Sequence, residues 1–300
     1  MAKFDILIDG SHLAHRANHI FKSLHTTNYQ PTGLIYGFLK SLLALGERFK
    51  SKGGNFVIFW DDRPIIKKTL FPEYKAQRKK ENFSEFSLQL DLLKEILIPI
   101  GVGQAEVEFE EADDLISSHI SKNRKEVKKF IIVSADKDFL QLVNDQVVVI
   151  KPKMGKYPEV FYSEQKVFEE FGVVPKGIVF LKVFTGDSSD NIPGVSRLPK
   201  KQIIKILNQV HLNGYQTIDQ IFDRLNSFDF LTKNQSEKMQ AFYDQAFKNF
   251  EIIKLKEHID VPVRQNSFDD KALQEHFRKT EMFEFLRNFE RWGTLFGERQ

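Results

Sequence analysis

Three short apolar runs, Phe4–Ile8, Phe56–Trp60 and Phe130–Val133, each stop at or just before acidic residues, and this recurrence restricts what the chain can fold into. Apolar runs of four or five residues bounded by turn signals read as buried strands. Stretches with helical spacing separate them, and strands alternating with helices through about residue 150 predict an α/β fold with a mainly parallel central sheet flanked by helices. In open sheets of this kind ligands bind outside the carboxyl ends of the strands. Asp9 follows the first run, Asp61 and Asp62 the second, and Asp136 and Asp138 follow the third within Ser134-Ala135-Asp136-Lys137-Asp138. One acidic turn is ordinary, but three at successive strand ends point to a cation site.

The densest acidic stretch is Glu110-Glu111-Ala112-Asp113-Asp114, at the mouth of a helix whose Leu115, Ile116, His119 and Ile120 have helical spacing. Glu111 and Asp114 then lie three apart on one face with Asp113 beside them. Acids in a first turn complement the helix dipole. Carboxylates held this close also repel one another unless a divalent ion or a basic partner opposes them. Both readings stand on this stretch alone. The chain has no cysteine, which excludes a disulfide framework, a thiolate zinc site and a cysteine nucleophile, so any metal sits on oxygen or imidazole. His12, His15 and His19 share helical spacing, but no carboxylate lies among them and they are read as ordinary surface or core histidines.

The 300 residues, 41% hydrophobic and 28% charged, describe a soluble globular chain large enough for one big core or two sub-domains, with 29 Phe supplying core volume. No run reaches the ~18 apolar residues of a membrane span, and the first residues enter a strand pattern rather than a signal peptide. A cytoplasmic protein without membrane contact is expected. The net charge of +3 is mild, but Arg63–Lys80 holds seven Lys or Arg against one Glu. Phe71 and Tyr74 interleave with those cations, as in a nucleic-acid channel where cations track phosphates and rings stack bases. The other reading of the segment is a solvated surface.

Helices are predicted over Gly33–Phe49 and from Phe83 to Leu97, the latter stopped by Pro99. The stretch from Met154 to Tyr162 is read as short strands of an edge hairpin. From Ser163 the pattern turns helical, with helices expected near Thr217–Asn226, Ser236–Phe250 and Asp270–Phe289. Between them Gly186-Asp187-Ser188-Ser189-Asp190-Asn191-Ile192-Pro193-Gly194 places two more acids three apart. Arg197, Lys200, Lys201 and Lys205 follow at a predicted helix start, an arrangement suited to phosphate.

The chain resembles the structure-specific 5′-nucleases, the flap endonucleases and 5′-3′ exonucleases that include the domain joined to bacterial DNA polymerase I and free-standing phage members. The resemblance covers nearly the whole sequence. It rests on Ile8-Asp9-Gly10 with Leu13 to Arg16, the Thr32-Gly33 to Gly37-Phe38 stretch, and Trp60-Asp61 with Tyr74-Lys75 and Arg78. It continues through Glu111-Ala112-Asp113-Asp114, Ser134 to Asp138, and Gly186-Asp187 through Asp190 to Gly194, all in the family's order. It implies a PIN-like α/β nuclease region over 1–162, with a helical arch at about 71–98. A helical DNA-binding region over 163–300 would contain a helix-three-turn-helix at about 186–207.

The resemblance further implies cleavage of phosphodiester bonds near the junction of a 5′ single strand and duplex, in DNA or an RNA/DNA hybrid, with a role in primer or flap removal during replication or repair. Two Mg²⁺ ions, replaceable by Mn²⁺, would be held by Asp9, Asp61, Glu111, Asp113, Asp114, Asp136, Asp138, Asp187 and Asp190. Lys75 and Arg78 match the family's basic pair at the scissile phosphate. Arg16, Lys67, Tyr74, Lys79, Lys80, Arg197, Lys200 and Lys201 would contact DNA. A monomer in the cytoplasm of a bacterial or phage-infected cell is implied, with a replication polymerase or single-strand-binding protein as partner.

Two positions depart from the family pattern. Ile66-Lys67 stands where the family has Phe-Arg, one residue closer to Tyr74, which favours Asp61 over Asp62 as the ligand. Arg197 and Pro199 replace hairpin glycines that in the family help bind a monovalent cation, leaving a potassium site open and shifting duplex grip toward side-chain charge. The alternatives are a PIN-like metal ribonuclease and a non-catalytic DNA-binding scaffold. All nine acidic positions hold carboxylates, which weighs against the scaffold.

Overall fold

Strand formation follows the apolar runs. In the computed structural model, which describes residues 4–50, 53–77, 83–153, 155–212 and 217–297, β1 (Phe4–Asp9) leads into α1 (Gly10–Phe21) and α2 (Gly33–Phe49). The short α3 (Ile65–Leu70) and the long α4 (Phe83–Ile100) follow β2 (Gly54–Phe59). Next come β3 (Gly103–Ala105), α5 (Ala112–Asn123), β4 (Phe130–Val133), a 3-10 turn (Asp138–Leu142), β5 (Val147–Lys151) and β6 (Val160–Tyr162). The remainder is helical: α6 (Glu164–Phe171), α7 (Gly177–Thr185), α8 (Lys200–Leu212), α9 (Ile218–Asp223), α10 (Lys233–Ala241), α11 (Tyr243–Ile253), α12 (Asp270–Lys279), α13 (Phe283–Arg287) and α14 (Glu290–Phe296).

The chain divides into two compact units. The first comprises Met1–Arg63, Lys80–Ala135 and Glu257–Gln300. Its strands lie in the order β3-β2-β1-β4, and every pair among them is parallel. Asp9 pairs with Phe59 and Ile8 with Val133, so the carboxyl ends of β1, β2 and β4 share one edge. Ile6, Leu7, Ile8, Phe56, Ile58 and Ile132 are buried, as expected of strands covered on both faces. Gly10, directly after Asp9, has no room for a side chain, because an added Cβ would stand 2.7 Å from Ile58 and the Trp60 ring. Among the carboxy-terminal helices, Trp292 is fully buried with the Phe277 and Phe285 rings 5.5 Å away, and Phe296 meets Phe56 on β2.

The second unit comprises Pro64–Lys79 and Asp136–Lys256. Its β5 and β6 pair antiparallel. Helix α7 buries Ile178, Val179, Leu181, Val183 and Phe184, and α11 buries Asn249 and Ile252.

Several elements differ from the sequence expectation. Helix α4 includes Pro99 in its last turn and ends one residue later at Ile100, without the hydrogen bond that a Pro99 N–H would have made. The Pro99 carbonyl accepts the Asp269 amide at 2.9 Å, and Gly101 at φ +77° turns the chain out. The helix expected over Asp270–Phe289 breaks at Glu281 (φ +55°), whose carboxylate accepts the Thr27 amide at 2.8 Å and hydroxyl at 2.5 Å. The helix expected over Ser236–Phe250 is two helices, and α10 starts earlier at a Thr232/Gln235 capping box. Strand β3, three residues long, carries too little pattern to read from sequence.

Candidate metal centre and phosphate-contacting residues

In the first unit each acidic side chain is set by the end of a strand or helix. Asp9, the last residue of β1, caps α1: one oxygen accepts the His12 amide at 2.9 Å and the other accepts the Ser134 hydroxyl at 2.9 Å. Asp61, two residues beyond β2, is pinned at both ends. Its amide donates to Ser11 Oγ at 2.9 Å, and its carboxylate accepts the Ala112 amide at 2.7 Å, at the first turn of α5. Asp62 is engaged elsewhere, accepting the Phe109 amide at 2.8 Å; that hydrogen bond holds its carboxyl below the usual range.

Glu111 is the N-cap residue of α5, with Asp113 and Asp114 in its first turn. One oxygen from each of the three carboxylates lies within 4.8 Å of the others. Glu111 is 6% exposed and Asp114 0%. A pair of ionised carboxylates at this separation repels by about 3.5 kcal/mol at an effective dielectric constant of ~20. A helix N-terminus returns at most ~2 kcal/mol. The dipole by itself therefore falls short of three such pairs, and the three carboxylates could hold a metal ion. Its all-oxygen donor set fits a hard divalent ion.

In the second unit a lysine organises the acids. Lys182, on α7, pairs with Asp138 and, at 2.8 Å, with Asp187. Burial pushes the Asp138 carboxyl up to about 6, outweighing the opposing pull of Lys182. For Asp187 burial also acts upward, but the bonds from Lys182 and Ser189 prevail and hold it at about 2. Burial alone would lower the Lys182 ammonium, whereas its two carboxylates raise it above the ordinary lysine value. Asp136 accepts the Asp138 amide at 2.8 Å, and Asp190 is buried with its carbonyl accepting the Lys75 amide at 3.2 Å.

The loop that carries Asp187 and Asp190 is closed on itself. Asp187 and Ile192 exchange both backbone hydrogen bonds, at 2.9 and 2.8 Å. Gly186 takes φ +73°, and an added Cβ there would stand 2.5 Å from the Gly194 nitrogen. Buried Asn249 donates to the carbonyls of Val183 at 2.9 Å and Pro193 at 2.8 Å, clamping both ends.

Of the cations expected at nucleic acid, Arg197, Lys200 and Lys201 are exposed at the start of α8, and Arg197 adopts φ +55°. Lys75 also has positive φ, +55°, with its ammonium 4.8 Å from the Tyr74 ring centre. Tyr74 and Lys67 are 3% and 4% exposed, buried where open positions were expected. Arg16 is partly buried, and burial lowers its pKa from the ordinary value. Arg78, Lys79 and Lys80 lie outside the described residues. Sequence reasoning passed over Ser11, Ser134, Lys182 and Asn249. Lys182 left one legible signal: it is the single charge in the apolar run Ile178–Phe184, five residues before Asp187.

Comparison with known proteins decides the family. The sequence model for the 5′-3′ exonuclease N-terminal resolvase-like domain matches residues 5–172, and that for the 5′-3′ exonuclease C-terminal SAM fold matches 173–276. The chain belongs to the 5′-3′ exonuclease family. It is 29% identical over 289 residues to the 5′-3′ exonuclease of Buchnera aphidicola from Schizaphis graminum, covering 96% of this chain and 95% of that one. It is 32% identical over 249 residues to DNA polymerase I of Bacillus subtilis, which covers 82% of this chain but only 27% of the polymerase. Its fold matches the flap endonuclease of bacteriophage T5, solved with DNA and metal ions, at a TM-score of 0.64 and 17% identity over 93% of this chain and 98% of that one. The chain's activity class is accordingly that of a 5′-3′ exonuclease. Among the described residues no helix is long and apolar enough to cross a membrane.

Proposed function

We propose that this chain hydrolyses DNA, or RNA-primed DNA, beside the junction of a 5′ single strand and duplex, using two divalent ions, Mg²⁺ with Mn²⁺ as substitute. The observation that carries the reading is the triad of Glu111, Asp113 and Asp114, three carboxylates within 4.8 Å of one another with two of them buried. Asp9 and Asp61 belong to the same unit and complete the set for one ion. Asp136, Asp138, Asp187 and Asp190 supply the ligands of the other. Bound ions of this kind activate water at neutral pH and stabilise the leaving oxygen of an in-line displacement.

The chain's own groups do the rest. Ser134 and the His12 amide orient Asp9, and the Ala112 amide orients Asp61. Lys182 keeps Asp138 and Asp187 gathered. Lys75 and Arg78 neutralise the scissile phosphate, where preorganised charge is worth most. The segment at about 71–98, of which 78–82 lie outside the described residues, is assigned as the arch for the 5′ strand. Arg197, Lys200 and Lys201 grip duplex backbone from a helix-three-turn-helix at about 186–207. Their charge stands where family glycines would serve a potassium site. The work belongs to primer or flap removal in the cytoplasm of a bacterial or phage-infected cell.

End-labelled flap, nicked, single-stranded and all-RNA substrates, incubated with Mg²⁺ or EDTA, test this directly. Mg²⁺-dependent cuts near the junction of the flap are expected, and Asp136→Ala should abolish them while leaving DNA affinity within a few-fold. Cleavage confined to single-stranded RNA would establish a ribonuclease instead. Cleavage by Asp136→Ala at the wild-type rate would remove Asp136 from the ligand set.

A further inference from the structure

The turn that carries Lys75 and the loop that carries Asp190 are tied together by three hydrogen bonds. The Lys75 amide donates to the Asp190 carbonyl at 3.2 Å. The Asn191 side-chain amide donates to the Glu73 carbonyl at 3.0 Å, and its oxygen accepts from Gln77 Nε2 at 3.0 Å. Both partners adopt left-handed backbone, Lys75 at φ +55° and Asn191 at φ +61°. Asparagine tolerates this region better than other residues with a Cβ, whereas lysine does not favour it. An unfavourable backbone persists where its surroundings over-determine it. Here the Lys75 peptide is held through its own amide, with the Glu73 carbonyl and the Gln77 side chain bound on either side of it.

We propose that Asn191 is a positioning residue: it latches the Glu73–Gln77 turn to the Asp187–Asp190 loop, so that the Lys75 cation and the second unit's carboxylates take up position together. The inference rests on the reading above that Lys75 serves the scissile phosphate and Asp187 and Asp190 serve a metal ion. Asparagine suits the latch because one planar amide both donates and accepts while its backbone accepts positive φ. Aspartate keeps the shape and the acceptor but loses the donor. Glycine keeps the backbone and loses both bonds. Alanine loses both bonds and adds strain, so it is the least informative variant.

Two measurements on the full chain separate the latch from the role of Lys75. Hydrogen exchange of the Lys75 amide reads the latch without reference to cleavage, and is expected to be at least tenfold faster in Asn191→Gly and Asn191→Asp than in the wild type. Single-turnover cleavage of a 5′-flap substrate with saturating enzyme and Mg²⁺ reads what the latch positions. Each variant should lose about tenfold in rate with substrate affinity within twofold and an unchanged melting temperature. In a Lys75→Ala background the Asn191→Gly change should cost at least threefold less than in the wild type, because only the carboxylates are left to position.

Unchanged exchange at Lys75, or equal losses from Asn191→Gly with and without Lys75, would overturn the latch. Lys75→Ala cutting at the wild-type rate would strike instead at the catalytic reading of Lys75, and so at what the latch positions. A loss that appears only in melting temperature or affinity would reduce Asn191 to a structural residue and overturn the proposal.

Discussion

Asp138 takes up a proton at about pH 6 because burial disfavours its charge more than Lys182 restores it. On the proposal that Asp138 holds a divalent ion, the ion needs the ionised carboxylate, so proton and metal compete. Metal affinity measured by calorimetry should be level above about pH 7 and fall roughly tenfold per pH unit below about 6. The sign for stability is opposite. With its folded pKa raised above the ordinary 3.8, the metal-free folded state holds more protons than the unfolded chain between these values. Its contribution is therefore present below 3.8 and lost as pH rises through about 6. Arg197 offers a second prediction at this scale. A left-handed arginine costs about 1–2 kcal/mol, and glycine's extra chain entropy takes back about 0.5–1 kcal/mol. Arg197→Gly should thus stabilise the fold by roughly 0.5 kcal/mol in denaturant titration while lowering the salt slope of duplex binding by about one.

Helix α8 begins with Lys200 and Lys201, shortly after Arg197, and all three side chains are exposed. Cations that touch phosphates release condensed counterions, each adding about one unit to the log-log slope of affinity against salt. Neutralising the three should weaken duplex binding and flatten that slope by about two to three units, leaving the cleavage step intact because the carboxylates are untouched. A titration in Na⁺ and again in K⁺ at matched ionic strength checks both points. An unchanged slope would place these residues off the backbone, and a K⁺-specific gain would show that a cation site survives without the glycines. Helix α5 presents the complementary case. Its N-cap and first turn carry three acids, which sequence alone leaves open between a dipole complement and a cation site; the acids at the strand ends weigh toward the cation.

At the scale of the whole molecule, the proposed metal sites predict that a divalent ion stabilises the fold. An ion that binds the folded state alone, at 100 times its dissociation constant, stabilises by about 2.7 kcal/mol. For a chain of 300 residues that corresponds to a melting temperature roughly 4 °C higher in Mg²⁺ than in EDTA. Asp114→Ala should shrink the increment by removing both a ligand and a source of repulsion. An increment unaltered in Asp114→Ala would locate the bound ion away from α5.

The sequence by itself determined the strands and the acids at their ends. β1, β2 and β4 fall at or within two residues of their expected positions, because a short, mostly apolar run buried on both faces needs no distant partner to be recognised. The spacing of Glu111, Asp113 and Asp114 likewise fixed their convergence, since helical geometry is local. Tertiary structure decided whatever depends on distant residues. The Glu281 carboxylate, at the break between the last helices, accepts from Thr27, 254 positions away. Lys182 meets Asp138 across 44 positions, and Asn191 reaches the Glu73 carbonyl across 118. No periodicity announces such pairings. A hydrogen bond between distant segments leaves only a polar residue at each end, and the fold alone determines which two ends meet.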